Sequence, residues 1–194
     1  MSTHPGRLRK LLFFLCCVIA GIAAVQGPGA QGPRTMKTLV VYYSLTGKTQ
    51  VVAQTLAKEF GADLRRVEDV ERPDVSWWFI VRGGFAAMRG VESEIKPIDT
   101  GFQGYDRVFV GSPVWGGSPS TPINAFIAKA DFSGKEVVLF MTMGSDDAAG
   151  AIKKMSERIE KKGGKIVGSF ALSSGKATGE ELATRTREAA QRYR

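Results

Sequence analysis

The sequence predicts an α/β fold in which helices cover both faces of a five-stranded parallel sheet. Short apolar runs of strand length alternate with segments of helical periodicity from residue 38 to residue 193. The first run, TLVVYY over residues 38–43, is apolar almost throughout, as expected for a strand that is buried on both faces. Because crossovers between parallel strands are right-handed, this alternation predicts a doubly wound, three-layer sandwich.

The individual elements follow from their apolar patterns and from the residues that end them. Val52, Leu56 and Phe60 form one apolar stripe on the first helix, and Gly61 ends that helix. Residues 62–68 are mostly polar, which suits a strand at the edge of the sheet. The predicted strands are 38–43, 62–68, 107–110, 136–141 and 165–172. The predicted helices are 49–60, 121–130, 148–159 and 180–193, with a weaker helical stripe over 77–88.

The composition excludes several classes of enzyme. The chain has 194 residues, of which 43% are hydrophobic and 24% charged, and this suits one globular domain. Its two cysteines, Cys16 and Cys17, and its single histidine, His4, all precede residue 36. Residues 36–194 therefore lack thiol nucleophiles, Ser-His-Asp triads and the usual zinc ligands. We expect any chemistry to come from a bound cofactor, with no metal site and no catalytic side chain.

The net charge of +8 does not point to nucleic acid. Residues 1–35 contain four basic residues and no acidic one, so half of the net charge lies outside the predicted fold. The basic residues of the remaining chain are not gathered into a stripe, which is the usual mark of a nucleic-acid surface. We therefore expect no nucleic-acid partner.

The N-terminal residues have the layout of a targeting segment. A basic stretch, RLRK, precedes the uncharged apolar run 11–25, and a run rich in glycine and proline follows it. We therefore divide the chain into a signal or membrane-anchor segment with its linker, residues 1–35, and one domain, residues 36–194. This segment predicts export or membrane attachment through residues 11–25. If translation starts at Met36 instead, the protein is cytoplasmic.

A loop rich in hydroxyl groups, SLTGKT over residues 44–49, links the first predicted strand to the first helix. Helix N-termini present unpaired N–H groups and a positive dipole end, hydroxyls donate to phosphate oxygens, and Lys48 adds charge. The loop thus favours phosphate binding, and the alternative is a well-capped helix without a ligand. A nucleoside-triphosphatase loop is excluded, because it requires glycine where Tyr42 stands.

Two further loops are predicted at the carboxyl edge of the sheet, where doubly wound sheets bind their ligands. Residues 111–122 place Trp115 in a loop, directly before the pair Gly116-Gly117. A flat aromatic ligand would cover an exposed indole, whereas packing of the indole on a neighbouring loop is the alternative. The loop 142–146 is small and polar and offers backbone N–H groups.

Residues 36–194 resemble the flavodoxin family in these three segments. The matching sequences are VVYYSLTGKT for the phosphate loop, VGSPVWGGSP for the second flavin loop and LFMTMGS for the third. The resemblance implies a flavodoxin-like strand order, 2-1-3-4-5, and a non-covalently bound FMN. It assigns the FMN phosphate to Ser44, Thr46, Gly47, Lys48 and Thr49. It assigns the isoalloxazine to Trp115 with Pro113, Val114, Gly116 and Gly117 on one side, and to Met143, Gly144 and Ser145 on the other.

The resemblance also implies a function with two alternatives. The first interpretation is a carrier that passes electrons through its flavin to or from a partner protein or a small molecule. Many carrier flavodoxins have acids after the tryptophan-glycine pair and a tyrosine in the third loop, and both are missing here. The less covered flavin keeps open an FMN-dependent NAD(P)H or quinone reductase. A flavin-free binding module on the same fold is the other alternative.

Overall fold

Strands and helices alternate along the chain as the periodicity predicts. The computed structural model describes residues 36–70, 89, 92–144 and 147–194. Its elements are β1 (Thr38–Tyr42), α1 (Lys48–Phe60), β2 (Asp63–Arg66), β3 (Arg107–Trp115), β4 (Ser118–Pro119), α2 (Thr121–Lys129), β5 (Glu136–Met143), α3 (Ala149–Glu160), β6 (Lys165–Ser173) and α4 (Gly179–Ala190). A 3₁₀ turn, Gln191–Tyr193, follows α4, so the last helix is shorter than the predicted 180–193.

The sheet confirms the predicted fold class and strand order. Five strands pair in parallel in the order β2-β1-β3-β5-β6, and the two-residue β4 pairs antiparallel with β3. Among the parallel strands this order is 2-1-3-4-5. At the centre, Val40 of β1 lies opposite Leu64 of β2 and Phe109 of β3. The winding reverses between β1 and β3, so these two strands define the switch point of the sheet.

The core consists of two apolar layers, one on each face of the sheet. Val41 of β1 packs in the layer that includes Phe126 of α2 and Met155 of α3. Its neighbour Val40 packs in the other layer, with Leu56 of α1. Because successive side chains of a strand point to opposite faces, the consecutive apolar residues 39–42 of β1 fill both layers.

Strand β2 lies at one edge of the sheet, as its polar sequence predicts. It pairs only with β1, and its Leu64 is 41% exposed. Charged side chains at such an edge discourage pairing with another chain. Helix α1 ends at Gly61, whose positive φ of 57° provides the expected C-cap.

The predicted ends of β3 and β5 are wrong, because both strands run further toward the carboxyl edge. Ser112 pairs with Met141 and Pro113 with Thr142, which extends the parallel ladder beyond Val110. Trp115 is therefore the last residue of β3 and does not lie in a loop. Likewise, Met143 is the last residue of β5, although a loop was predicted from residue 142.

Two predicted segments lie outside the described residues. They are the apolar run 11–25 and the helical stripe 77–88. In the part of the chain that the structure describes, no helix is long and apolar enough to cross a membrane. Those described residues belong to one unit, Met36–Arg194.

Gly111→Ala is expected to destabilise the fold, because a Cβ at this position would lie 2.0 Å from Cζ of Phe140. The Phe140 ring is fully buried and cannot move aside cheaply. We expect the free energy of unfolding in urea to fall by about 1–3 kcal/mol. The control is Gly179→Ala, whose Cβ would be 3.9 Å from its nearest neighbour, Cγ2 of Val51. Equal stability of the two variants would contradict the packing described for this strand.

Candidate functional site

The carboxyl ends of β1, β3 and β5 lie side by side, so the segments that follow them meet at one edge of the sheet. The turn after β1 covers residues 43–47, and α1 begins directly after it. The turn after β3 is Gly116-Gly117, and Gly144 follows β5. The structure thus brings the three predicted segments together, except for Ser145, which lies outside the described residues.

The turn before α1 presents a row of unpaired donors. Gly47 has a positive φ of 86° and supplies no side-chain cap to the helix. Across the described residues, no acceptor is found for the backbone N–H groups of residues 45–48. A side chain at Gly47 would meet no atom within 4 Å, so the space in front of this turn is open. Such a turn is suited to an anion, whose oxygens would accept from these N–H groups.

The hydroxyl groups around this turn have different partners. Ser44 is only 2% exposed, and its Oγ has no hydrogen-bond partner within the described chain. Since a buried hydroxyl without a partner is costly, Ser44 is suited to a hydrogen bond with a ligand. Oγ1 of Thr49 is 2.7 Å from Oγ1 of Thr142, a buried pair that ties the first turn of α1 to β5. Thr46 is exposed at the mouth of the turn.

Lys48 reaches away from the turn. Its Nζ donates to the carbonyl oxygen of Ala177 at 2.5 Å, in the segment between β6 and α4. This hydrogen bond links the start of α1 to the segment that connects β6 to α4. The backbone N–H of Lys48, in contrast, belongs to the row of unpaired donors at the turn.

Trp115 lies at the carboxyl edge of the sheet, beside the turn that follows β1. It is partly exposed, and its ring meets that of Tyr43 edge to face, with centroids 5.7 Å apart and planes at 90°. Gly116 and Gly117 follow with φ values of 54° and 67°, as a two-residue type I′ hairpin turn requires. Pro113 and Val114, which precede Trp115, are also partly exposed.

Lys154 of α3 holds this hairpin in place. Its Nζ donates to Oγ of Ser118 at 2.6 Å and to the carbonyl oxygen of Gly117 at 3.3 Å. Below the hairpin, the N–H of Ser120 donates to Oγ of Ser112 at 2.9 Å. These bonds fix the position of the glycine pair relative to the sheet.

The end of β5 forms the third side of the site. The carbonyl oxygen of Met143 accepts hydrogen bonds from both the N–H and the Oγ of Ser174, at 2.8 and 3.1 Å. Gly144 is exposed, and a Cβ there would meet no atom within 4 Å. This side of the site therefore has open space.

A polar cluster that no sequence pattern predicts lies beside the turn that follows β1. Asp69 accepts hydrogen bonds from the Tyr43 hydroxyl at 3.1 Å and from the Ser93 hydroxyl at 2.6 Å. Burial raises the pKa of Asp69, while the two hydroxyl donors oppose that rise. Burial, followed by the Asp69 carboxylate, raises the pKa of Tyr43. Asp69 and Ser93 are far apart in sequence and meet through an antiparallel bridge between Asp69 and Ile95, which no local pattern predicts.

A cavity of about 280 Å³ lies between the first turn and the end of β2. Its lining includes Tyr43, Ser44, Leu45, Arg66, Val67, Glu68, Asp69, Val70 and Lys96. Arg66 was also missed, because it appears in sequence only as one charge of a polar strand. Within residues 36–70, 89, 92–144 and 147–194, no group of three His, Cys, Asp or Glu side chains is arranged to hold a metal ion.

A family model, a relative of known sequence and a solved structure all match this chain, and each is a flavodoxin or a flavoprotein. The model of a family described as Flavodoxin matches residues 37–184. A flavodoxin from Maridesulfovibrio salexigens is 26% identical over 159 residues, which cover 75% of this chain and 91% of that relative. A flavoprotein from Lactobacillus acidophilus, crystallised in complex with FMN, is similar in structure with a TM-score of 0.61 and 25% identity. That match covers 70% of this chain and 93% of the other.

A reductase also has a similar structure. An NADH:FMN oxidoreductase, solved in its apo form, matches with a TM-score of 0.52 and 15% identity, over 81% of this chain and 88% of that one. At this identity the likeness shows the fold alone.

Asp69→Asn is expected to change how stability depends on pH. Because the pKa of Asp69 is raised, the folded protein keeps a proton that the unfolded chain loses at lower pH. This contribution is fully present below the unfolded pKa and is lost as the pH rises through the folded pKa. Urea unfolding should therefore show the wild type gaining stability relative to the variant as the pH falls from about 7 to about 4. A difference that stays constant over this range would contradict the burial of the carboxyl group.

Proposed function

Because the chain belongs to the flavodoxin family, we propose that residues 36–194 bind FMN without a covalent bond and carry electrons through it to or from a redox partner. The main support for this proposal comes from the turn before α1. Its N–H groups and the buried Oγ of Ser44 lack acceptors or partners in the described chain. A phosphate monoester supplies the oxygens that these donors require. The relative crystallised with FMN supports the same cofactor.

Several residues at the turn contribute to binding the phosphate, each in a different way. The backbone N–H groups of residues 45–48 and the Ser44 hydroxyl face a charged acceptor, and the positive end of the α1 dipole adds to their effect. The exposed Thr46 hydroxyl is a further donor. Thr49 contributes by fixing the first turn of α1 to β5, since its hydroxyl already pairs with that of Thr142. Gly47 leaves room for the close approach of the phosphate.

The hairpin and the end of β5 hold the ring system. Trp115 provides an indole whose orientation is fixed by its contact with Tyr43, and a flat ring covers its exposed part. Gly116 and Gly117 bring backbone groups near the ring without side chains in the way. Met143 and Gly144 lie on the other side. When bound, FMN supplies the one- and two-electron chemistry, while the chain binds, orients and partly shields it from water.

The open space at Gly144 favours a second candidate function. A side chain that covers the outer face of the flavin is missing at this position, where a Cβ would meet no neighbour within 4 Å. A small substrate such as a nicotinamide or a quinone would have access to the ring there. The second candidate is therefore an FMN-dependent NAD(P)H or quinone reductase.

Ser44→Ala is expected to weaken the binding of FMN and to leave the binding of riboflavin almost unchanged. The variant removes one hydrogen bond to a charged phosphate, worth about 1.5–3 kcal/mol or roughly 10- to 100-fold in Kd. Titration of the apoprotein with each flavin, followed by flavin fluorescence, measures both values. Ser156→Ala on α3 is the control, since Ser156 lies away from the turn.

An equal loss for FMN and riboflavin in the Ser44 variant would contradict a phosphate at this turn. Unchanged FMN affinity would contradict it as well, because the buried Oγ would then have no ligand to contact.

A turnover assay distinguishes an electron carrier from a reductase. Purified protein loaded with FMN is mixed with NADH or NADPH and a quinone, and the oxidation of the nicotinamide is followed by absorbance. We expect a rate no higher than that of free FMN at the same concentration, because a carrier depends on a partner protein. A rate that saturates with nicotinamide and far exceeds the rate of free FMN would support the reductase.

We also propose that residues 1–35 direct the protein to the membrane or across it. The support is the order of the basic stretch, the apolar run 11–25 and the following glycine- and proline-rich linker. Fractionation of cells that express the full chain should place it in the membrane or outside the cytoplasm, and a chain that starts at Met36 should stay inside. Both chains in the cytoplasm would contradict the targeting role.

A further inference from the structure

The N-terminal end of α1 is positively charged beyond what its dipole alone provides. Its first turn contains no acidic residue, and its first residue is Lys48. Helix α4 shows the usual arrangement, with a capping box formed by Thr178 and Glu181 and with Glu180 also in the first turn. Cations at a helix N-terminus are unfavourable unless an anion is present. The start of α1 is therefore arranged for an external anion.

A second cation, Arg66, lies against the same end of the helix. Arg66 is the last residue of β2, and its Nη2 is 3.4 Å from the carbonyl oxygen of Ser44. Its Nη1 is 3.3 Å from Oε1 of Gln50, in the first turn of α1. The guanidinium thus contacts both Ser44 in the turn and Gln50 in α1.

The two cations differ in what they hold. The Lys48 ammonium is engaged by the carbonyl oxygen of Ala177 at 2.5 Å and points to another segment. Arg66 makes only the two long hydrogen bonds to neutral oxygens, and it forms no ion pair with the carboxylates that the structure describes. Contacts of this length and type cost little to exchange for a charged acceptor.

We propose that Arg66 is the residue that recognises the charge of the FMN phosphate and so discriminates FMN from riboflavin. This inference rests on the proposed function. The unpartnered Ser44 hydroxyl marks the phosphate position independently, and Arg66 contacts the backbone of that same residue. A guanidinium fork matches two phosphate oxygens at once, whereas Lys48 remains a link between α1 and the segment before α4.

The test compares Arg66→Gln with Lys58→Gln, each of which removes one positive charge. Lys58 lies in the last turn of α1, at the end remote from the phosphate. The Kd values of FMN and of riboflavin are measured on the full-length apoprotein at low and high salt. In Arg66→Gln, the ratio of the two affinities should fall about 10-fold or more, with riboflavin binding unchanged. In Lys58→Gln, it should stay within about threefold of the wild-type ratio.

Arg66→Lys keeps the charge but removes the fork, so its ratio should lie between those of the wild type and Arg66→Gln. Circular dichroism and urea unfolding check that each variant is folded. If Arg66→Gln keeps the wild-type ratio, or if it weakens both flavins equally, the role of Arg66 is overturned while FMN binding stands. If the wild type binds neither flavin, both the proposed function and this inference fail.

Discussion

The candidate site depends on one turn, residues 43–47, several of whose hydrogen-bond donors lack acceptors within the described chain. Within the described chain, the backbone N–H groups of residues 45–48 and the buried hydroxyl of Ser44 have no acceptor or partner, and the helix that follows has no acidic residue in its first turn. Buried or clustered donors without acceptors are costly, and folded proteins retain them where a ligand completes them. An anionic group bound at this turn would fix the position of the ligand that carries it. The rest of the site would then contact the rest of that ligand.

The sheet then determines what lies next to the anion. Because β1, β3 and β5 are neighbours, a ligand bound at the end of β1 would extend past the end of β3, at Trp115, toward the end of β5, at Gly144. Trp115 is placed accurately because it ends a strand and packs against Tyr43, while Lys154 holds the turn that follows. Sites carried by strand ends are more precise than sites carried by long loops. A Cβ at Gly144 would meet no atom of the other described residues within 4 Å, which is compatible with either candidate function.

Most of the fold was predictable from local patterns, because β1 is almost entirely apolar and β2 is mostly polar. The ends of β3 and β5 were not, since Ser112 and Pro113 look like loop residues and are kept in the ladder by pairing with β5. The three candidate segments were predicted from their residue types, and the structure places their described residues at one edge of the sheet. Arg66 and the hydrogen bonds of Asp69 were missed, because they depend on contacts between strands and between distant segments that no local pattern encodes.

The most direct measurement is equilibrium binding of FMN to the purified apoprotein, followed by its visible spectrum and by the quenching of flavin fluorescence. We expect saturation at one FMN per chain, a yellow protein, and much weaker binding of riboflavin, because the phosphate accepts hydrogen bonds from the turn before α1. A colourless protein that does not take up FMN at high concentration would contradict the central claim. The fold would survive that result, and the redox function would not.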